Sequence, residues 1–383
     1  MMCAKNLACP FWWAATLLTL GLAGPASSRS EEPMPKLLLP LFTPSPEAGD
    51  GSAYPSPLRR NDGSIVTNAA DWPARRDEIL SFWHQAMGPW PDIIANPELE
   101  ILETTHRENF TQHKVRFLWT PTERTEGYLL IPDGSDERRP AVITVYYEPE
   151  TLIGFGKEQR DFALALARRG FVTMALGTRE ASAAKTYSIY WPSLEAAEVQ
   201  PLSMLAYAAA NAWQVLAARP EVDARRIGIV GHSFGGKWAM FASCLYEKFA
   251  CAAWSDPGIV FDERDSVNYW EPWYLGYHAP PWRTRGMPSV ENPIRGLYPE
   301  LRAAGHDLTE LHALMAPRPF LVSGGSEDPP SRWAPLRHCI AVNELLGHEN
   351  RVAMHNRPEH SPDPQSNEVI YQFLEHFLGP TGR

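Results

Sequence analysis

From Pro140 to the C-terminus, short apolar runs alternate with stretches of helical periodicity, and this alternation limits the possible folds more than any other feature. Such alternation is typical of βαβ units, which build a mostly parallel sheet with helices on both faces. The predicted strands are 141–146, 171–176, 227–230, 251–254, 320–322 and 352–354, and the predicted helices lie near 158–169, 204–218, 237–249, 308–315, 336–346 and 367–378. The sequence therefore predicts an α/β fold.

The residues before Pro140 show a different pattern. Asp71-Trp-Pro73 predicts the start of a helix, because aspartate can cap a helix and proline fits its first turn. The apolar runs that follow predict antiparallel strands at one edge of the sheet, at 99–103, 113–119 and 127–131.

A serine between two glycines lies where a predicted strand meets a predicted helix. The segment Gly231-His-Ser233-Phe-Gly235 directly follows the strand at 227–230 and precedes the helix at 237–249. A tight strand-to-helix turn strains the backbone of the serine and raises its Oγ clear of the sheet, and small neighbours permit this conformation. We therefore predict that Ser233 is a nucleophile.

At this motif the sequence resembles the α/β-hydrolase superfamily, and the resemblance covers about residues 99 to 380. It implies the order nucleophile, acid, histidine along the chain, with the acid after a late strand and the histidine after the last one. The acid expected from it is Asp328, in the loop after the strand at 320–322. Glu327 and Asp256 are alternatives, Asp256 because some hydrolases place the acid after the preceding strand.

The expected general base is His360, which lies in the loop between the last strand and the C-terminal helix. His355 is the alternative, but its place within the strand favours a structural role. His355, His360 and Asp363 together have residue types that bind metal, but no second cluster supports such a site. No metal or cofactor is predicted.

These residues predict a mechanism of ester hydrolysis through an acyl-enzyme. His360 would take the proton of Ser233 while the acid orients its imidazole. Backbone N–H groups would hold the oxyanion, one from Phe234 and a second from Tyr147 or Glu148, in the loop after the strand at 141–146.

A long insert follows the strand at 251–254. The alternation stops over about 262–307, and loops of this length are uncommon unless they are functional. We interpret the insert as a lid or a wall of the substrate site. It carries three tryptophans whose flat faces suit sugar rings, Trp270, Trp273 and Trp282.

Among esterases, the chain resembles carbohydrate esterases, including the acetyl xylan esterase, glucuronoyl esterase and dienelactone hydrolase groups. Lys237 lies four residues after Ser233, where glucuronoyl esterases have a lysine that contacts the sugar. Those enzymes have an arginine directly after the nucleophile, whereas this chain has Phe234. The resemblance implies a small-molecule or polysaccharide ester as substrate. A peptidase, a lactone hydrolase and a non-catalytic binding protein are the alternatives.

The N-terminus predicts export. An apolar run from Phe11 to Gly24 followed by small residues as far as Ser28 is typical of a secretory signal peptide, although an uncleaved anchor is an alternative. We therefore expect a signal peptide at 1–28, a flexible leader at 29–70, a single catalytic domain at 71–383, and a secreted or periplasmic protein with no stable membrane span in the mature chain.

Charge and cysteine content narrow the possible partners further. The formal net charge of −10 argues against a nucleic-acid partner, because a nucleic-acid backbone attracts basic surfaces. Cys244, Cys251 and Cys339 follow the predicted signal peptide and permit at most one internal disulfide.

Overall fold

The computed structural model describes residues 34–134, 137–178, 188–262, 272–284 and 287–379. The predicted signal peptide at 1–28 lies outside these residues. Within the described part, a nine-stranded sheet has the order β1-β2-β3-β5-β4-β6-β7-β8-β9. Its strands are β1 (Leu99–Arg107), β2 (Phe110–Leu118), β3 (Arg124–Pro132), β4 (Arg139–Tyr146), β5 (Val172–Gly177), β6 (Val222–His232), β7 (Cys251–Ser255), β8 (Phe320–Gly324) and β9 (Val352–Asn356).

The pairing of the strands confirms the predicted sheet. β1, β2 and β3 pair antiparallel, and β3 also pairs antiparallel with β5. From β5 to β9 every neighbouring pair is parallel. Parallel strands require crossover connections, which the helices supply.

Helices cover both faces of the sheet. They are α1 (Trp72–Met87), α2 (Pro149–Leu152), α3 (Phe162–Arg168), α4 (Pro201–Ala217), α5 (Phe234–Leu245), α6 (Leu297–Ala303), α7 (Leu308–Ala313), α8 (Trp333–Leu345) and α9 (Pro364–Leu378). Successive side chains of a strand point to opposite faces. Accordingly, Ile143 and Val145 of β4 join the apolar cluster of α1, α4, α5, α7 and α8, while Val142 joins that of α3 and α9. The predicted fold class is confirmed.

The long insert begins after β7, as the sequence predicted. Between Ser255, the last residue of β7, and Leu297, the first of α6, the described residues form no helix or strand. Trp273, Tyr274 and Leu275 of this segment are buried and belong to the apolar cluster of α1, α4, α5, α7 and α8. α6 lies near the end of the segment that the sequence assigned to the insert, and α7 begins directly after that segment.

Residues 34–70 differ from the expectation of a flexible leader. Leu38, Ala48 and Val66 are buried, and the ring of Phe42 lies 6.4 Å from that of Phe373 in α9. A second anchor is Arg75 of α1, whose Nε donates a hydrogen bond to the carbonyl of Pro57 at 2.9 Å. The segment is rich in polar residues and proline, and its apolar residues have no periodic spacing, so the sequence did not indicate this packing.

The described part of the chain holds three buried free thiols, Cys244, Cys251 and Cys339. Among the described helices, none combines the length and the apolar character that crossing a membrane requires.

Candidate active site

Ser233 lies in a strained turn between β6 and α5. Its φ of 58° and ψ of −116° are sparsely populated for a residue with a side chain and cost about 1–3 kcal/mol. The flanking glycines make room for this turn. A Cβ on Gly231 would lie 2.2 Å from the carbonyl oxygen of Gly235, and one on Gly235 would lie 2.0 Å from that of Val145. The Ser233 N–H donates to the carbonyl of Ser255 at 2.8 Å, which ties the turn to the end of β7.

His360 joins Ser233 to a buried carboxylate. Its Nε2 lies 2.9 Å from Ser233 Oγ, and its Nδ1 lies 2.6 Å from Oδ2 of Asp256. The Asp256 side chain is fully buried, whereas 39% of the His360 side chain is exposed. Since the Asp256 carboxylate is the hydrogen-bond acceptor at Nδ1, this geometry fits the imidazole tautomer with its proton on Nδ1, in which Nε2 accepts from the Ser233 hydroxyl.

The carboxylate at His360 is Asp256, the sequence alternative, and not Asp328. The turn after β8 directs three backbone N–H groups at the Asp256 carboxylate, those of Gly325 at 2.6 Å, Asp328 at 2.9 Å and Glu327 at 3.3 Å. These donors fix the carboxylate that faces the imidazole. The expected position of the acid is corrected accordingly.

Asp328 has a different set of partners. Its carboxylate accepts the N–H groups of Gly258 and Ile259, each at 2.7 Å. The two aspartates thus bind each other's loops, since the Asp328 N–H donates to Asp256. Burial, with the nearby negative charge of Asp256, raises the pKa of Asp328 to about 7.

The other two alternatives lie apart from the imidazole contact. Glu327 is buried and reaches Asp256 through its backbone N–H. His355 lies on β9, paired with Ser323 of β8, and its Nδ1 has no hydrogen-bond partner among the described residues. Burial lowers the pKa of His355. The structure therefore brings His360, and not His355, to Ser233.

The predicted oxyanion donors lie on two adjacent segments. Phe234 is the first residue of α5, and Tyr147 follows β4, the parallel neighbour of β6. Their rings stack with centroids 4.8 Å apart and an interplanar angle of 20°. Glu148 follows as the N-cap of α2. This stack brings the loop after β4 to the turn at Ser233.

The predicted substrate contacts have mixed surroundings. Lys237 is buried, and its Nζ donates to the carbonyl of Pro257 at 2.5 Å. Trp273 is buried, Trp282 is half-buried, and their ring centroids lie 6.1 Å apart. The ring of Trp282 also stacks on that of Tyr190 at 6.0 Å. Trp270 lies outside the described residues.

Two further residues near His360 were not predicted from the sequence. Arg357 is buried at the end of β9 and bonds to the loop of His360. His232, also buried, has its ring 4.8 Å from that of His360, and burial together with the charge of Arg357 lowers its pKa well below the ordinary value. Only the position of His232 directly before Ser233 could have indicated it. Over the described ranges, no group of three His, Cys, Asp or Glu side chains could hold a metal ion.

Together, the sheet order, the strained serine turn and the gathering of these groups at the carboxyl ends of parallel strands define the α/β-hydrolase fold. The model of the prolyl oligopeptidase family matches residues 208–359, a range that includes Ser233, Asp256 and Asp328 and ends one residue before His360. The resemblance to α/β-hydrolases stated from the sequence is confirmed.

Known proteins similar to the chain include several carbohydrate esterases. A 4-O-methyl-glucuronoyl methylesterase of Schizophyllum commune is 24% identical over 213 residues, which are 54% of this chain and 51% of that protein. The chain thus matches about half the length of this relative.

Solved structures with the same fold cover most of the chain. A glucuronoyl esterase from Solibacter usitatus has a TM-score of 0.66 at 19% identity, over 85% of this chain and 98% of that one. A putative acetyl xylan esterase from Bacteroides fragilis has a TM-score of 0.56 at 17% identity, over 85% and 89%.

Proposed function

We propose that this protein is a serine hydrolase of carboxylic esters. The observation that carries the proposal is the continuous hydrogen-bonded chain from Asp256 through His360 to Ser233, with distances of 2.6 and 2.9 Å. A serine is a weak nucleophile at its free pKa and needs an adjacent base, and the base needs a group that orients it. Ser233, His360 and Asp256 supply the nucleophile, the base and the orienting group, in this order along the hydrogen-bonded chain.

The proposed reaction has two halves. Ser233 Oγ attacks the ester carbonyl while His360 Nε2 takes its proton, and the buried Asp256 carboxylate stabilises the resulting imidazolium. The N–H groups of Phe234 and of Tyr147 or Glu148 would hold the oxyanion. His360 then gives its proton to the departing alcohol, leaving an acyl-enzyme. In the second half, His360 deprotonates a water molecule, which attacks the acyl carbon, and the proton then passes from His360 to Ser233 Oγ as the bond between Oγ and the acyl carbon breaks and the acid is released.

The proposed substrates are uronoyl or acyl esters of polysaccharides. This proposal is supported by the glucuronoyl and acetyl xylan esterases to which the chain is similar. It is also supported by Tyr190, Trp273 and Trp282, an aromatic group in or near the insert. Esters of plant cell-wall polysaccharides are extracellular, which agrees with the export expected from the N-terminal sequence.

A substrate panel with a serine variant tests both parts. The panel contains p-nitrophenyl acetate, acetylated xylan and a glucuronate methyl ester. Ser233→Ala should lower kcat by about 10⁶-fold, because the nucleophile is lost. Ser81→Ala, at an exposed position on α1, is the matched control and should keep the wild-type rate. Wild-type activity in Ser233→Ala would refute the proposed nucleophile. Cleavage of the nitrophenyl ester alone would refute the polysaccharide substrates.

A peptidase is the second candidate, because the matching family model is that of the prolyl oligopeptidases. A peptide p-nitroanilide with proline before the scissile bond discriminates between the two. Under the ester proposal, Ser233-dependent cleavage of the glucuronate or acetyl esters exceeds that of the anilide. Labelling of Ser233 by a fluorophosphonate distinguishes either hydrolase from a non-catalytic protein of the same fold.

A further inference from the structure

We propose that Arg357 is a positioning residue that holds His360 at Ser233. This inference rests on the proposed function and adds a residue to it. Arg357 directly follows β9 and precedes His360 by three residues, and only 6% of it is exposed. Burying a guanidinium costs free energy unless each of its N–H groups has a hydrogen-bond acceptor.

The guanidinium connects three segments of the site. Its Nη1 donates to the carbonyl of Ser323 in β8 at 2.8 Å and to the hydroxyl of the same residue at 3.0 Å. Its Nη2 donates to the hydroxyl of Ser255 in β7 at 3.3 Å. The backbone N–H of Arg357 donates to the carbonyl of Gly324 at 2.9 Å. One side of the side chain is thus fixed to the carboxyl ends of two parallel strands.

The other side of the guanidinium holds the loop of His360. Nη2 donates to the carbonyl of His360 at 2.7 Å, and Nε donates to the carbonyl of Ser361 at 2.9 Å. The segment from 357 to 363 forms no helix or strand, so regular hydrogen bonding does not set the position of its backbone. Arg357 therefore fixes the backbone from which the imidazole projects.

The end of β7, which Arg357 contacts, is also next to the other two groups of the site, Ser233 and Asp256. Ser255 accepts the N–H of Ser233 through its carbonyl and immediately precedes Asp256. The guanidinium of Arg357 thus connects the loop of the base to the strand end that contacts the nucleophile and precedes the acid. Only the fixed fork of arginine reaches acceptors on both sides, because a lysine has a single nitrogen.

Replacing Arg357 by methionine removes the donors and keeps an apolar stem in the buried space. We expect kcat for p-nitrophenyl acetate to fall about 10²-fold, which is the cost of misplacing a catalytic group by about 1 Å. KM should change less than about threefold, since the guanidinium makes no proposed contact with substrate. Arg357→Lys keeps the charge and some donors, so its kcat should lie between those of Arg357→Met and the wild type.

Arg318 offers a matched control. Its guanidinium donates to three backbone carbonyls, those of Ser243, Phe249 and Leu314, at 2.8 to 2.9 Å, without contact to the loop of His360. Arg318→Met should lower the melting temperature as Arg357→Met does but keep kcat per folded molecule. A third variant, Arg357→Ala, should regain kcat on addition of ethylguanidinium, whereas added ethylammonium should have no effect.

The outcomes separate this inference from the proposed function. Wild-type kcat in folded Arg357→Met, or an equal loss of kcat in Arg318→Met, overturns the positioning role while the reaction of Ser233 stands. If Arg357→Met does not fold, an unchanged kcat in Arg357→Lys together with no rescue of Arg357→Ala overturns it as well. Undiminished activity in Ser233→Ala instead overturns the proposed function itself.

Discussion

Asp256 and Asp328 follow neighbouring parallel strands, β7 and β8, and both have buried carboxylates. Backbone donors decide which carboxylate faces His360. Three N–H groups surround Asp256, whose φ of 49° turns the chain at this point, while Asp328 takes the N–H groups of Gly258 and Ile259. An aspartate after a strand gives the same sequence signal at either position. Only the conformation of the loops distinguishes the two, so the sequence left both open. The resemblance to α/β-hydrolases favoured Asp328.

Amide substitution of each aspartate separates the two roles. Asp256→Asn should lower kcat about 10⁴-fold, since an amide favours the wrong tautomer of His360. Asp328→Asn retains one acceptor oxygen for the two N–H groups, so the expected loss is about tenfold at most, the effect of one neutral hydrogen bond. Steady-state rates with p-nitrophenyl acetate, on proteins shown by circular dichroism to be folded, test this. A loss in Asp328→Asn as large as that in Asp256→Asn contradicts it.

At the scale of elements, the parallel strands and the turn at Ser233 could be predicted, because apolar runs and glycine spacing indicate them. The parallel strands appear as apolar runs because both faces of the sheet are covered. The turn at Ser233 could be read from Gly231 and Gly235, since no larger residue fits their close backbone contacts. The packing of residues 34–70 could not be predicted, because their apolar residues have neither helical nor strand periodicity and a partner such as Phe373, which contacts Phe42, is far along the chain.

The anchoring of residues 34–70 through α1 leads to a stability prediction. Arg75 is 3% exposed and donates to Pro57, to Asn61 and to Glu310 of α7, the last at 2.9 Å. Arg75→Met should lower the free energy of unfolding by about 3–5 kcal/mol, because Glu310 would remain buried without this partner. Denaturant titration measures the change.

The exposed Arg124 of β3 is the control for Arg75. Arg124→Ala should stay within about 0.5 kcal/mol of the wild type. A double variant that also carries Glu310→Gln should recover part of the loss, because it removes the buried charge. If Arg75→Met unfolds at the denaturant concentration of the wild type, the contact does not anchor the segment.

For the molecule as a whole, the parallel sheet explains why distant residues meet. Ser233, Asp256 and His360 follow β6, β7 and β9, whose carboxyl ends share one edge of the sheet. Groups at this edge come from separate parts of the sequence, and the fold brings them together. The positions of the proposed nucleophile and base follow from this topology and could be predicted. Arg357, in contrast, acts through hydrogen bonds to backbone carbonyls, which have no signature in a single sequence.

The short helix α7, which packs against α5, carries a buried histidine that couples stability to pH. His312 of α7 is fully buried, its Nε2 lies 3.2 Å from the sulfur of Met240, and burial lowers its pKa from 6.5 to about 3. In the unfolded chain the imidazole binds a proton below pH 6.5, whereas in the folded protein it remains neutral down to about pH 3. The unfolded state therefore binds more protons in this window, and stability is lost as the pH falls.

Replacing this histidine by leucine, which has a similar volume, tests the coupling. At pH 5 the shift corresponds to about 2 kcal/mol of destabilisation, and near pH 7.5 it is negligible. The difference in unfolding free energy between pH 7.5 and pH 5 should therefore shrink by about 2 kcal/mol in His312→Leu. His106→Gln, at an exposed position on β1, controls for the loss of one histidine. An unchanged difference in His312→Leu would show that this imidazole is already charged, or accessible to water, in the folded protein.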